Sequence, residues 1–141
     1  MAVEMDVVAL TAFLASDFSE VADSFVVERA DDDGLTVRLK VGAKHLRPGG
    51  TVSGPTIFAL ADVAIYLAIL SRIGPKALNV TTNASIDFLR KPSAGCDIVG
   101  IAKILKLGRV LVVGDVLIYS KGSADPVARA SMTYSIPPKK A

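Results

Sequence analysis

The most apolar stretch of the chain runs from Pro55 to Leu70, with Asp62 as its one charged residue. A run apolar on nearly every side predicts a helix covered on nearly every side. We place it over about residues 56–72. Ser53 suits its N-cap, Pro55 its first turn and Gly74-Pro75 its stop. Ahead of it, Val7, Val8, Leu10, Phe13 and Leu14 share a face at helical spacing within residues 4–18. Residues 21–30 and 34–41 are β-branched and partly alternating, and Asp31-Asp32-Asp33-Gly34 between them predicts a hairpin. His45 to Pro55 is a loop with Pro48-Gly49-Gly50 and Gly54-Pro55. Beyond the long helix, Leu78–Leu89, Asp97–Lys106, Arg109–Tyr119 and Val127–Ser135 alternate as strands, and residues 137–141 read as a frayed tail.

One apolar helix among six strands implies a single α+β domain over 1–141. Its antiparallel sheet curls around the helix, with a short N-terminal helix added. One sheet does not surround such a helix, so a second subunit is expected to complete the cover.

Composition narrows the class. The 141 residues are 51% hydrophobic and 21% charged, with mean hydropathy +0.48, which excludes disorder and low complexity. The start of the chain has Glu4 and Asp6 and no basic segment, and Asp62 interrupts the apolar run. A soluble, cytoplasmic protein with no membrane partner is expected. One Cys (Cys96) and one His (His45) exclude an internal disulfide and a Cys₄ or Cys₂His₂ zinc site, and no metal is expected.

Net charge +2 hides an asymmetry: residues 1–33 carry nine acids and one base, and residues 34–141 carry fifteen bases and five acids, a balance of +10. A basic body suits a small polyanion. The bases stand singly and the aromatics are few, so nucleic acid is not expected.

Several chemistries have no residues to carry them. There is no G-x-S-x-G elbow, P-loop or dinucleotide fingerprint. Cys96 has no His near it in sequence. Asp62 remains. It is either a structural carboxylate bonded to backbone or to an Arg, or a carboxylate at a cleft mouth that acts as nucleophile or general base. Gly54 lies eight residues earlier, about 12 Å along the helix, where N-terminal amides favour an anion or a polarised oxygen.

These residues lie in a segment that resembles a known family. HLRPGGTVSGPTIFALADVAIYLA (45–68) is similar to the signature of hotdog-fold acyl-CoA thioesterases of the phenylacetate-degradation type. VTTNASIDFLRKPSAG (80–95), KLGRVLVVGDVLIYS (106–120) and ARASMTYSIP (128–137) resemble that family's later strands. The resemblance implies a hotdog fold and thioester hydrolysis, with Asp62 as the catalytic carboxylate and the Gly54 amide polarising the carbonyl. Thr81 takes the position of a water-orienting hydroxyl, with Thr82 as its neighbour one register away. Arg90, Lys91 and Arg109 are candidates for the coenzyme A phosphates. Ser53, Arg47 and Pro55 stand where the family has His, Asn and the second Gly. Ser53 is expected to cap the helix, and Arg47 to pair with a substrate carboxylate or with Asp62. Ile57, Phe58 and Tyr66 are expected to line an acyl pocket. Coenzyme A belongs to the substrate, so no separate cofactor is implied. A homodimer or homotetramer with sites between subunits is implied. Two other readings stay open: a non-catalytic acyl-CoA sensor, and a hydratase or dehydratase drawing on His45.

Overall fold

The computed structural model describes residues 3–75 and 79–137. Helix α1 spans Val7–Asp17 and is followed by the single turn α2, Ser19–Ala22. Strands β1 (Phe25–Asp31) and β2 (Gly34–Leu39) form the hairpin, and a 3₁₀ turn covers Ala43–His45. Helix α3 spans Gly54–Ile73, then β3 Val80–Phe88, β4 Ile98–Leu107, β5 Leu111–Ser120 and β6 Pro126–Ser135. All pairings are antiparallel in one six-stranded sheet, ordered β1-β2-β4-β5-β6-β3. This is the expected hotdog arrangement of one long helix against a curled sheet.

Local chemistry sets the ends. The Asp6 carboxylate accepts from the Ala9 N–H at 2.9 Å, so α1 begins at Val7 rather than residue 4. In the hairpin turn the Asp31 carboxylate accepts from the Asp33 N–H at 2.9 Å and pairs with Arg29 at 3.1 Å. Gly34 closes that turn at φ +149°, where an added Cβ would lie 2.5 Å from the Ala102 carbonyl oxygen. Asp97 stands just before β4 instead of opening it. Its carboxylate accepts from the Val41 N–H at 2.9 Å and from Arg38 at 2.8 Å, and Arg38 also reaches Glu28 at 3.0 Å. The expected strand start at Leu78 and the tail at 138–141 lie outside the described residues.

The core lies between α3 and the inner sheet face. Leu60, Ala64, Ile65, Leu67, Ile69 and Leu70 are fully buried against Leu35, Val37, Ile98, Val116 and Ile118. Gly114 lets the helix approach: an added Cβ would come 2.7 Å from Ile65 Cδ1. α3 is long and apolar enough to cross a bilayer, yet eleven of its residues are buried inside the fold. The acid-rich first segment forms α1, α2 and β1, and four of its acids, Glu28, Asp31, Asp32 and Asp33, stand on β1 and its hairpin turn at one edge of the sheet. The opposite edge is β3, whose residues are all exposed except for half-buried Ile86. Nine residues of strand therefore have a hydrogen-bonded neighbour on one side alone among the described residues.

Candidate active site

The entry to α3 is held by its cap. Ser53 Oγ accepts from the Thr56 N–H at 3.3 Å and lies 2.8 Å from Thr56 Oγ1, while the Ser53 N–H donates to the His45 carbonyl at 2.9 Å. Pro55 follows in the first turn, on the surface. Phe88, at the end of β3, covers Gly54: an added Cβ there would meet its ring at 3.5 Å. His45 Nδ1 accepts the Gly42 N–H at 2.8 Å. Burial, with Lys44 beside it, pulls its imidazolium pKa below the ordinary value and favours the neutral ring.

Two turns further along α3, Asp62 is half-buried and makes no ion pair among the described residues. Its partners are hydroxyls. Oδ1 accepts from Thr81 Oγ1 at 2.7 Å and from the Tyr134 hydroxyl at 2.5 Å. The Tyr134 oxygen also stands 3.0 Å from the Asp62 carbonyl oxygen. A phenol has one proton, so the shorter, charge-assisted contact takes it. Thr81 and Tyr134 are direct cross-strand partners in the β3–β6 ladder, so their side chains emerge on one face of the sheet. The ladder slips between Thr81 and Asn83, leaving Thr82 unmatched, with its hydroxyl on the Thr133 carbonyl at 3.2 Å. Thr81, not Thr82, therefore faces the carboxylate. Burial first, and the bond to Asp62 second, hold the Tyr134 pKa far above the usual tyrosine range. Both favour the neutral phenol, which keeps its proton to donate.

Other expected positions fall elsewhere. Tyr66 is packed in the core, 6% exposed, with ring centroids 5.2 Å from Phe18, 6.3 Å from Tyr134 and 6.4 Å from Phe13. Ile57 is buried as well, which leaves Phe58 as the exposed ring on that part of the helix. Bulk on a nearly all-apolar helix goes first to the core, and sequence alone does not distinguish core from pocket. Arg47 does not pair with Asp62. It sits exposed in a tight turn, its N–H on the Thr51 carbonyl at 2.8 Å. Arg90 reaches the Pro126 carbonyl at 3.1 Å and Asp125 at 3.9 Å, next to exposed Lys91, at the Phe88 end of β3. Exposed Arg109 lies in the β4–β5 turn, by the far end of β6. The length of a nine-residue strand, about 30 Å, separates the two groups, so the three bases form no single cluster on one chain. Among the described residues no group of His, Cys, Asp and Glu is arranged to hold a metal ion.

Tyr134 and Phe88 are the residues that sequence reading missed as site members. The alternation of 127–135 marks Tyr134 as a strand residue, but its meeting with Asp62 depends on pairing β6 with β3, a register that no local pattern encodes.

Comparison with known families gives one decisive match: the Thioesterase superfamily matches residues 49–127, more than half of the chain. The chain belongs to the thioesterase superfamily. The matched segment runs from the loop before the Ser53 cap through Asp62 and Thr81 into β6. Among solved structures, this superfamily member is similar to one described as a thioesterase from Silicibacter sp. TM1040. The two share 51% identity over 98% of this chain and 96% of that one, with a TM-score of 0.92. The PaaI protein of the phenylacetic acid degradation operon of E. coli shares the fold, at 24% identity, 90% and 89% coverage and a TM-score of 0.77. So does a thioesterase-type protein from Streptococcus pneumoniae TIGR4, solved with coenzyme A, at 22% identity, 94% and 100% coverage and a TM-score of 0.75. Among curated proteins, no sequence matches the chain.

Proposed function

We propose that this thioesterase-superfamily protein hydrolyses acyl-CoA thioesters, with Asp62 as nucleophile or general base. The observation that carries the reading is the Asp62 carboxylate itself: half-buried, without a cation partner among the described residues, and held on one oxygen by two hydroxyls beside an exposed sheet edge. A carboxylate fixed through Oδ1 leaves Oδ2 to act on a carbonyl carbon or to take a proton from water. Water adds across the acyl–sulfur bond, giving a carboxylic acid and the free thiol.

The geometry supports a site shared between subunits. Gly54 and Asp62 are about 12 Å apart along α3, whereas reacting groups must converge to about 3–3.5 Å. One chain's amide and carboxylate therefore do not serve one carbonyl. Laying two β3 edges antiparallel brings the Gly54–Phe88 end of one chain to the Thr81–Asp62 end of the other. The same operation sets Arg90 and Lys91 of one chain near Arg109 of the partner subunit, a basic patch for the phosphates of coenzyme A. The solved structure with coenzyme A supports that ligand class. In this reading the protein is a cytoplasmic homodimer or homotetramer, needs no separate cofactor, and binds neither nucleic acid nor membrane.

A hydratase would draw on His45, and His45 Nδ1 is already occupied by a loop N–H. The test is thiol release from acetyl-, hexanoyl- and phenylacetyl-CoA. Asp62→Asn should keep the fold and lower kcat by at least about 10²-fold. Unchanged turnover returns Asp62 to a structural role. Tight binding without release by the wild type favours a sensor, and a change in enoyl absorbance without thiol favours a hydratase.

A further inference from the structure

We propose that Tyr134 is a positioning residue for catalysis: its hydroxyl fixes Asp62 Oδ1 and thereby decides which carboxylate oxygen reacts. The inference rests on the proposed role of Asp62 and adds to it a residue on the last strand.

Three observations converge. Tyr134 lies directly across the ladder from Thr81, and both donate to the same oxygen, at 2.5 and 2.7 Å. A carboxylate on a helix rotates freely about its terminal torsion unless something stops it. Two donors from two strands, converging on one oxygen, hold that rotation and leave Oδ2 as the reacting atom. Second, the Tyr134 ring is itself held. It is 3% exposed and packs on Tyr66, which in turn meets Phe18 after α1 and Phe13 within α1. The N-terminal helix thus buttresses the donor from behind. Third, a buried phenol needs an acceptor, and the Asp62 carbonyl 3.0 Å away would satisfy it. The shorter contact to the carboxylate exceeds what burial alone requires.

Thr81 sits on an exposed strand and Tyr134 in the core. The threonine is accessible to water and substrate, and the tyrosine is the fixed reference. Either chemistry for Asp62 benefits. A nucleophile needs its attacking oxygen aimed, and a base needs it within reach of water; misplacement by about 1 Å costs about 10²-fold.

The experiment compares wild type, Asp62→Asn, Tyr134→Phe and the double variant. It uses whichever of acetyl-, hexanoyl- or phenylacetyl-CoA the wild type cleaves fastest, and it reads kcat, KM and the thermal midpoint. Tyr134→Phe keeps the ring and its packing. It should lower kcat about 10- to 100-fold with KM within about twofold. In the Asp62→Asn background the same change should have no further effect on kcat, because the carboxylate it serves is gone. Losses that multiply in the double variant overturn the proposal, as does a Tyr134→Phe kcat within twofold of wild type while Asp62→Asn is inactive. A Tyr134→Phe chain that does not fold at 25 °C also overturns it, since the hydroxyl would then serve the fold. An Asp62→Asn enzyme with full activity, or a wild type that releases no thiol, overturns the underlying reading instead.

Discussion

Ser53 stands at the entry to α3, and its hydroxyl serves the first turn as acceptor for the Thr56 N–H. Its own N–H ties the helix start to the His45 carbonyl. Removing the cap should therefore act on stability first. Ser53→Ala should cost about 0.5–2 kcal/mol in urea denaturation, with a loss of kcat smaller than that of Asp62→Asn. A Ser53→Ala kcat as low as that of Asp62→Asn at unchanged stability would make Ser53 a catalytic group. The cap and Asp62 are both readable in sequence because each breaks a local pattern: a polar residue before an apolar helix, and one charge inside it. Tyr134 breaks none. It occupies an inward strand position where an aromatic ring is ordinary, and its partner is 72 residues away in the chain. Thr81 could be told from Thr82 only through the bulge that leaves Thr82 unpaired.

At the scale of elements, every helix and strand of more than one turn was legible in periodicity and turn residues, while several of their ends were not. β4 begins one residue after Asp97 because that carboxylate is engaged with the Val41 amide and Arg38. It thus joins the end of the hairpin to the start of β4, with Glu28 completing the link through Arg38. The Val41 N–H, ahead of Arg38, holds the Asp97 pKa below the ordinary carboxylate value in the folded state. A depressed folded pKa contributes stability that is present above the unfolded value, about 3.9, and is lost as pH falls through the folded one. Asp97→Asn should therefore lower stability at pH 7 and flatten its decline below about pH 4, as read by urea midpoints across pH. A variant whose midpoints track the wild type from pH 7 down to pH 3 would show that the depressed carboxylate adds nothing. The single turn α2 was absent from the pattern, since four residues are too few to display a helical period.

For the whole molecule, the order β1-β2-β4-β5-β6-β3 leaves β3, which carries Thr81, at one edge and the N-terminal hairpin at the other. In the sequence, the expectation of a second subunit rests on an under-covered helix. In the structure it rests on the strand: α3 is largely covered within one chain, and β3 is an exposed edge. An exposed edge of nine residues, with Thr81 on it and Phe88 at its end, is expected to pair with its own copy. Light scattering at micromolar concentration should give a dimer or a dimer of dimers. An active monomer would show that Gly54 and Asp62 do not act across subunits.

The separation of charge along the sheet has a kinetic consequence. Four of the nine acids in the first 33 residues, Glu28, Asp31, Asp32 and Asp33, lie on β1 and its turn, and fifteen bases belong to the remainder of the chain. A polyanion approaching that hairpin meets a local excess of negative charge. For the acyl-CoA substrate proposed above, arrival at the hairpin edge is then disfavoured and the search runs over the rest of the surface. The repulsion operates over about 8 Å at physiological ionic strength, so it shapes the direction of arrival and nothing that follows contact.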